Sequence, residues 1–112
     1  MNKIITIKVI NVEPGEAIET DNGYTRTSYF DLMLETASDF NSATEKREWF
    51  YNNWDEIKTK TSIFIEEFIK KYFDVPFDHI YVKKIRPIFK GTYDKDLSTI
   101  NYEATVIELE KL

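Results

Sequence analysis

The stretch that decides the fold runs from Ser42 to Phe73 and reads SATEKREWFYNNWDEIKTKTSIFIEEFIKKYF. It opens with the S-x-x-E spacing of a capping box, in which Ser42 and Glu45 each satisfy a free backbone N–H group. Apolar and aromatic residues then recur at steps of three, four and seven, which places them on one helical face. This stripe consists of Phe50, Trp54, Ile57, Thr61, Phe64, Ile65, Phe68 and Tyr72. We therefore predict one long amphipathic helix over residues 42–73.

Two strands are predicted before this helix and two after it. Alternating or β-branched runs place them at 3–12, 24–36, 80–89 and 100–109. Pro14 and Gly15 end the first run, and residues 21–23 predict a tight turn before the second. The residue before Pro76 is pushed out of the α region, which predicts the end of the helix. The element order is therefore ββαββ.

The second strand shows the clearest division into two faces. Phe30, Leu32 and Leu34 share one face, and Tyr29 and the acids share the other. Pro87 removes one ladder hydrogen bond from the third strand and favours an edge position for it. We predict an α+β fold in which a four-stranded, mostly antiparallel sheet carries one long helix on one face.

The predicted lengths of helix and strands do not match. Strands of about ten residues span about 33 Å, whereas a helix of about 30 residues spans about 45 Å. Either the helix overhangs its sheet or it breaks, and the weakest point for helix propensity is the segment 58–62. Because the stripe keeps its phase throughout, we favour one helix, bent at most, with an overhanging end.

The composition is that of a folded chain in one domain, residues 1–112, with 42% hydrophobic and 15% aromatic residues. It contains no cysteine, which excludes disulfides and thiolate metal sites. The apolar N-terminal run is too short for a membrane span and is interrupted by Lys8. We therefore expect a cytoplasmic protein that does not insert into a membrane.

Motifs for catalysis or cofactor binding are absent from the sequence. His79 is the single histidine and has no activated nucleophile motif beside it. The three glycines, at 15, 23 and 91, form no phosphate-binding pattern. The acids at 94 and 96 lack the remainder of a calcium loop. We predict no enzyme, no metal, no cofactor and no small-molecule substrate.

Charge is unevenly distributed along the chain, whose net charge is −5. Acids dominate residues 13–39, whereas cations dominate residues 79–95. In the third strand cations alternate with aromatic residues, a combination that can follow a phosphate backbone and stack on bases. This gives one alternative function, nucleic-acid binding through Tyr81, Lys83, Lys84, Arg86 and Lys90. The acidic total argues against it.

Large apolar residues outside the predicted core favour a different function. On the helical projection Ile63 and Phe73 lie nearly opposite the stripe, and Trp49 and Tyr51 lie on its margins. Tyr29 and Met33 lie on the sheet face that the helix does not cover. Exposed apolar groups rimmed by charge are typical of partner surfaces.

The leading hypothesis is therefore a small acidic, non-enzymatic protein-interaction module. It binds a protein partner, or itself, through the six residues Trp49, Tyr51, Ile63, Phe73, Tyr29 and Met33. The chain would suit a phage or mobile-element protein that inhibits or modulates a host protein, an expectation that rests on composition alone.

Overall fold

The computed structural model describes residues 3–74, 77–89 and 95–111. Five strands and two helices follow one another along the chain. They are β1 (Ile4–Glu13), β2 (Ile18–Thr20), β3 (Gly23–Thr36), α1 (Ala43–Asn52), α2 (Trp54–Tyr72), β4 (His79–Ile88) and β5 (Thr99–Lys111). The predicted α+β class is confirmed.

All pairings in the sheet are antiparallel, and the strand order is β1-β3-β5-β4, with the short β2 paired to β3. The prediction of four strands in ββαββ order is wrong in this detail, because β2 is a fifth strand. It folds back on β3 through a two-residue turn at Asp21 and Asn22. Pro87 lies in β4 at the sheet edge, as predicted.

The predicted single helix is wrong, because the chain forms two helices that meet at Asn53. The backbone of Asn53 departs from α-helical geometry (φ −112°, ψ 23°). Its side-chain amide donates a hydrogen bond to the carbonyl oxygen of Trp49 at 2.8 Å. Asparagine disfavours helix interiors because its side chain competes for such backbone groups. The segment 58–62, the predicted weak point of the helix, is helical.

The length difference on which the expected overhang rested is smaller in the structure, because β3 is longer than ten residues. With 14 residues β3 spans about 45 Å, whereas α2 with 19 residues spans about 28 Å. β3 is longer than the ten residues assumed for a strand, and the break at Asn53 divides the predicted helix into segments of 10 and 19 residues. β3 is therefore longer than α2 alone.

The core lies between the helices and one sheet face. Ser42 caps α1 by accepting a hydrogen bond from the Glu45 backbone N–H at 3.1 Å, and the Glu45 carboxylate accepts from Asn41. Of the predicted helical stripe, Phe50, Ile57, Thr61 and Ile65 are buried, Trp54, Phe64 and Phe68 are partly buried, and Tyr72 at the end of α2 is 61% exposed. The buried hydrophobic residues of the sheet are Phe30, Leu32, Leu34, Ile85, Ile100, Tyr102, Ala104 and Val106.

A buried ion pair lies at one end of this core. Arg26 and Glu108 face each other across β3 and β5 and form two hydrogen bonds of 2.8 and 2.7 Å. Ser28 donates a third hydrogen bond to the same carboxylate at 2.8 Å. The Arg26 guanidinium lies over the rings of Phe73 and Phe77, at 5.0 and 4.6 Å from their centroids. Glu108 is fully buried.

A buried hydroxyl pair links α2 to β5, because Thr61 and Tyr102 share a hydrogen bond of 2.8 Å. Burial raises the pKa of Tyr102 from 10.0 to about 12, and the Thr61 hydrogen bond offsets part of this rise. In the unfolded chain this phenol loses its proton at lower pH than in the folded protein. The neutral phenol therefore stabilises the fold below pH 10, and this contribution disappears as the pH rises from about 10 to about 12.

We expect Tyr102→Phe to remove this part of the pH dependence. Between about pH 9 and about pH 11 the wild-type free energy of unfolding should fall by about 1 to 1.5 kcal/mol more than that of the variant. Urea unfolding at both pH values measures the difference. Tyr29→Phe is the matched control, because Tyr29 is 54% exposed. Equal pH slopes for Tyr102→Phe and the wild type would contradict the prediction.

Candidate protein-interaction surface

The sheet presents its second face to solvent. Helix packing buries the side chains of one parity in β3 and β5, and the side chains of the other parity point away from the helices. We call this second surface the outer sheet face. Its large residues include Tyr29, 54% exposed, and Tyr81, 50% exposed. Met33, Ile107 and Leu109 are partly exposed on the same face.

Tyr29 occupies the middle of the outer sheet face. In the strand register it lies opposite Glu13 on one side and Thr105 on the other. Two shallow depressions flank its ring, with volumes of about 220 and 250 Å³. The residues lining the first include Asn11, Glu13, Asp31 and Glu103, and those lining the second include Lys84, Arg86, Glu103 and Thr105. An aromatic side chain therefore stands between an acidic and a basic depression.

Ion pairs mark two sides of this surface. Arg86 lies opposite Glu103 across β4 and β5, with Nη2 at 2.8 Å from Oε2. Lys8 on β1 approaches Glu35 on β3 at 2.8 Å. All four side chains are at least about a third exposed, so these pairs contribute little stability. They place charged groups beside Tyr29 and Met33 on the outer sheet face instead.

The predicted basic strand contributes only part of its cations to this surface. Lys84 and Arg86 point outward with Tyr81, whereas Lys83 is the extra residue of a bulge between Val82 and Lys84. Lys90 lies outside the described residues. Three carboxylates, those of Glu13, Asp31 and Glu103, share the outer sheet face with these cations. The face therefore has mixed charge.

The structure divides the six residues of the predicted partner site between two layers. Tyr29 and Met33 lie on the outer sheet face. Tyr51 and Ile63 are exposed on the helices, 60% and 55% respectively. The sheet lies between these two pairs, so one flat partner surface cannot contact both.

The remaining two residues, Trp49 and Phe73, pack against the core. Trp49 contacts Phe40, with ring centroids 5.5 Å apart, and its buried Nε1 has no hydrogen-bond partner among the described residues. Phe73 follows the last residue of α2 and has extended backbone geometry (φ −93°, ψ 135°). The helical projection predicts a solvent-facing Phe73 because it assumes that the helix continues through this residue. Since the helix ends before Phe73, its ring instead packs against Phe30.

Two residues of the outer sheet face, Ile107 and Leu109, were not predicted from the sequence. Ile107 lies opposite Thr27 and Tyr81, and Leu109 lies opposite Thr25 and His79. The alternation of side chains along β5 could have predicted their position, because the core residues of this strand have even numbers from 100 to 106. Apolar residues at odd positions must lie on the opposite face.

A second apolar feature lies on the helical side of the sheet. An open groove of about 390 Å³ runs between β1 and α2 and is lined by Lys8, Val9, Phe64, Glu67, Phe68, Lys71 and Tyr72. We call it the β1–α2 groove.

The described residues include no group of three or more histidine, aspartate or glutamate side chains that could hold a metal ion.

Comparisons with known protein families, with curated proteins and with solved structures gave no match. Within the described part of the chain, neither helix has the length and apolar character needed to cross a membrane.

Proposed function

We propose that this chain is a non-enzymatic protein-binding module whose partner docks on the outer sheet face, centred on Tyr29. The observation that carries the proposal is the arrangement of Tyr29 and Tyr81, each about half exposed, on one sheet face that also carries two exposed ion pairs. Tyrosine is enriched among binding hot spots because it combines a large apolar area with a polar tip and few rotatable bonds.

A protein suits this face better than a nucleic acid does. Arg86 is paired with Glu103, and the carboxylates of Glu13 and Asp31 lie beside Tyr29. A phosphate backbone placed here would approach these negative charges. A protein surface can instead match the acidic and basic depressions separately, which favours specific association. In the cytoplasmic setting expected from the sequence, the partner would be a host protein that the chain inhibits or modulates.

Site-specific photo-crosslinking tests this proposal. A photoreactive phenylalanine analogue placed at position 29 or 81 should crosslink the same protein in an extract of cells that encode the chain. Position 51 is the control, because Tyr51 has similar exposure, 60%, but lies on α1. Mass spectrometry of the products should identify one protein at positions 29 and 81 that is absent at position 51.

Substitution then tests the role of Tyr29 with the identified partner. We expect Tyr29→Ala to weaken binding at least about tenfold, whereas Tyr51→Ala leaves the affinity unchanged. Lys83, Lys84 and Arg86 changed together to alanine should not abolish binding. Loss of the crosslinks after nuclease treatment, or equal crosslinking at position 51, would contradict the proposal and favour the nucleic-acid alternative or non-specific contact respectively.

A further inference from the structure

The two edges of the sheet differ in how well they are protected against pairing. The β4 edge carries Pro87 and three cations, all of which discourage another strand. The β1 edge is apolar, and Lys8 is the only charge between its ends. Ile5 and Ile10 are 65% and 56% exposed there. Since β1 pairs only with β3 among the described residues, it presents an unpaired row of backbone groups.

The side chains of β1 are arranged symmetrically about Lys8. Ile7 and Val9 point to the helices, as do Ile4 and Val12 further out. Thr6 and Asn11 point to the outer sheet face, because they lie opposite Glu35 and Asp31. If a second β1 pairs antiparallel around Lys8, residues directly opposite each other lie on the same face. A shift by one residue would oppose inward and outward side chains.

The two bulges of β1 follow the same symmetry. Their extra residues are Ile5 and Ile10, each of which directly precedes an outward residue, Thr6 or Asn11. We group each extra residue with that outward neighbour, as the doublets 5–6 and 10–11. A bulge ordinarily interrupts pairing because its extra residue has nothing opposite. The doublets lie equally far from Lys8, so each would meet the other doublet in a second copy. The bulges would therefore obstruct an unrelated strand but would lie opposite each other when two copies of β1 pair.

Charge at the ends of the strand also suits self-pairing. Lys3 and Glu13 are both exposed and lie at equal distances from Lys8. In an antiparallel pair each Lys3 would face Glu13 of the second copy, which gives two attractive pairs at once. Lys8 would lie near Lys8 of the second copy. Within each copy the Glu35 carboxylate, 2.8 Å from Lys8 Nζ, neutralises the lysine charge.

We propose that a second copy of this chain pairs with the β1 edge, antiparallel and with the two-fold axis at Lys8, to form one continuous sheet. The two β1–α2 grooves would then lie on the same side of the joined sheet, on either side of the seam. The second copy would cover apolar wall residues such as Val9 and Phe68. This proposal is independent of the partner on the outer sheet face.

Analytical ultracentrifugation over a wide range of protein concentrations tests the dimer. The wild type should show a monomer–dimer equilibrium, and the double variant I5K/I10K should weaken it at least about 100-fold. Tyr81→Lys is the control, because Tyr81 is 50% exposed on the opposite edge strand. It should leave the dimer unchanged. A wild type that stays monomeric throughout, or a dimer unaffected by I5K/I10K, would overturn the proposal.

A charge-reversal cycle tests the register and does not depend on the folding of the lysine variant. Lys3→Glu and Glu13→Lys should each weaken the dimer about tenfold, because each places like charges at both ends of the seam. The double variant K3E/E13K restores opposite charges and should recover most of the affinity. If the double variant is as weak as the singles, the axis at Lys8 is wrong.

The same set of variants separates this proposal from the outer-face partner. I5K/I10K should lose the dimer and still crosslink its partner from position 29. Tyr29→Ala should lose the partner and still dimerise. If both properties were lost together in folded I5K/I10K protein, the β1 edge would not be an independent interface.

Discussion

Replacing Arg26 with alanine should lower the free energy of unfolding by about 3 to 5 kcal/mol. The fully buried Glu108 carboxylate accepts two hydrogen bonds from Arg26 and one from Ser28. Without the guanidinium, a negative charge would remain in the core with one hydroxyl donor. The rings of Phe73 and Phe77 would also lose their contact with the cation. Urea denaturation followed by circular dichroism measures the loss.

A second arginine–glutamate pair in the same sheet provides the control. Arg86 and Glu103 also lie directly opposite each other on neighbouring strands, but their side chains are 64% and 41% exposed. Arg86→Ala should therefore change stability by about 0.5 kcal/mol or less. The triple variant R26M/S28A/E108L removes the polar cluster and should return to within about 1 kcal/mol of the wild type. Equal losses for Arg26→Ala and Arg86→Ala would contradict the role given to burial.

Truncation of Phe50 to alanine should cost about 3 to 5 kcal/mol of stability, because it leaves a cavity among aromatic residues. Phe50 is fully buried in α1. Its ring makes edge contacts with four neighbours at centroid distances of 5.8 to 6.2 Å, namely Tyr51, Trp54, Phe89 and Tyr102. It therefore connects both helices to the sheet, and its loss weakens several contacts at once.

The adjacent residue offers a matched comparison. Tyr51 has an aromatic side chain of similar size in the same helix, but it is 60% exposed. Tyr51→Ala should cost about 1 kcal/mol or less. Chemical denaturation of both variants under the same conditions tests the difference. A loss for Phe50→Ala below that for Tyr51→Ala would mean that α1 does not depend on this aromatic contact.

Local patterning predicted most of the sheet. Alternation in β3 placed its start within one residue and its end at Thr36, and Pro87 indicated an edge strand. These features are local because side-chain alternation and a missing backbone donor act within a few residues. The three residues of β2 carry no such pattern, and pairing with β3 alone makes them a strand.

Helical periodicity could not reveal the break at Asn53. The stripe from Phe50 to Phe68 keeps its phase across the break, because Asn53 still bonds to Trp49 and Ile57 bonds back to Asn53. A one-residue distortion of this kind leaves the spacing of the apolar residues intact. The same limit applies to Phe73, whose direction depends on where α2 ends.

The outer sheet face was predicted only in part. Alternation placed Tyr29 and Met33 together on the side away from the helix. Tyr81 was predicted only as part of a basic strand. Its position relative to Tyr29 depends on β5 lying between β3 and β4, and strand order cannot be derived from local sequence patterns. Strand order brings Tyr81 onto the same face as Tyr29 and brings Arg86 to Glu103. That pairing changes a basic strand into a face of mixed charge.

The sequence by itself determined the class of this protein, the location of its four long strands and the faces that they bury, because periodicity of two or of about 3.6 residues decides which side chains leave water together. Only the tertiary structure decided the strand order, the partners of isolated charges and the end of α2. Arg26 and Glu108 are 82 residues apart along the chain, and no local pattern connects them. Their contact follows from strand register, which depends on the packing of the whole sheet beneath both helices.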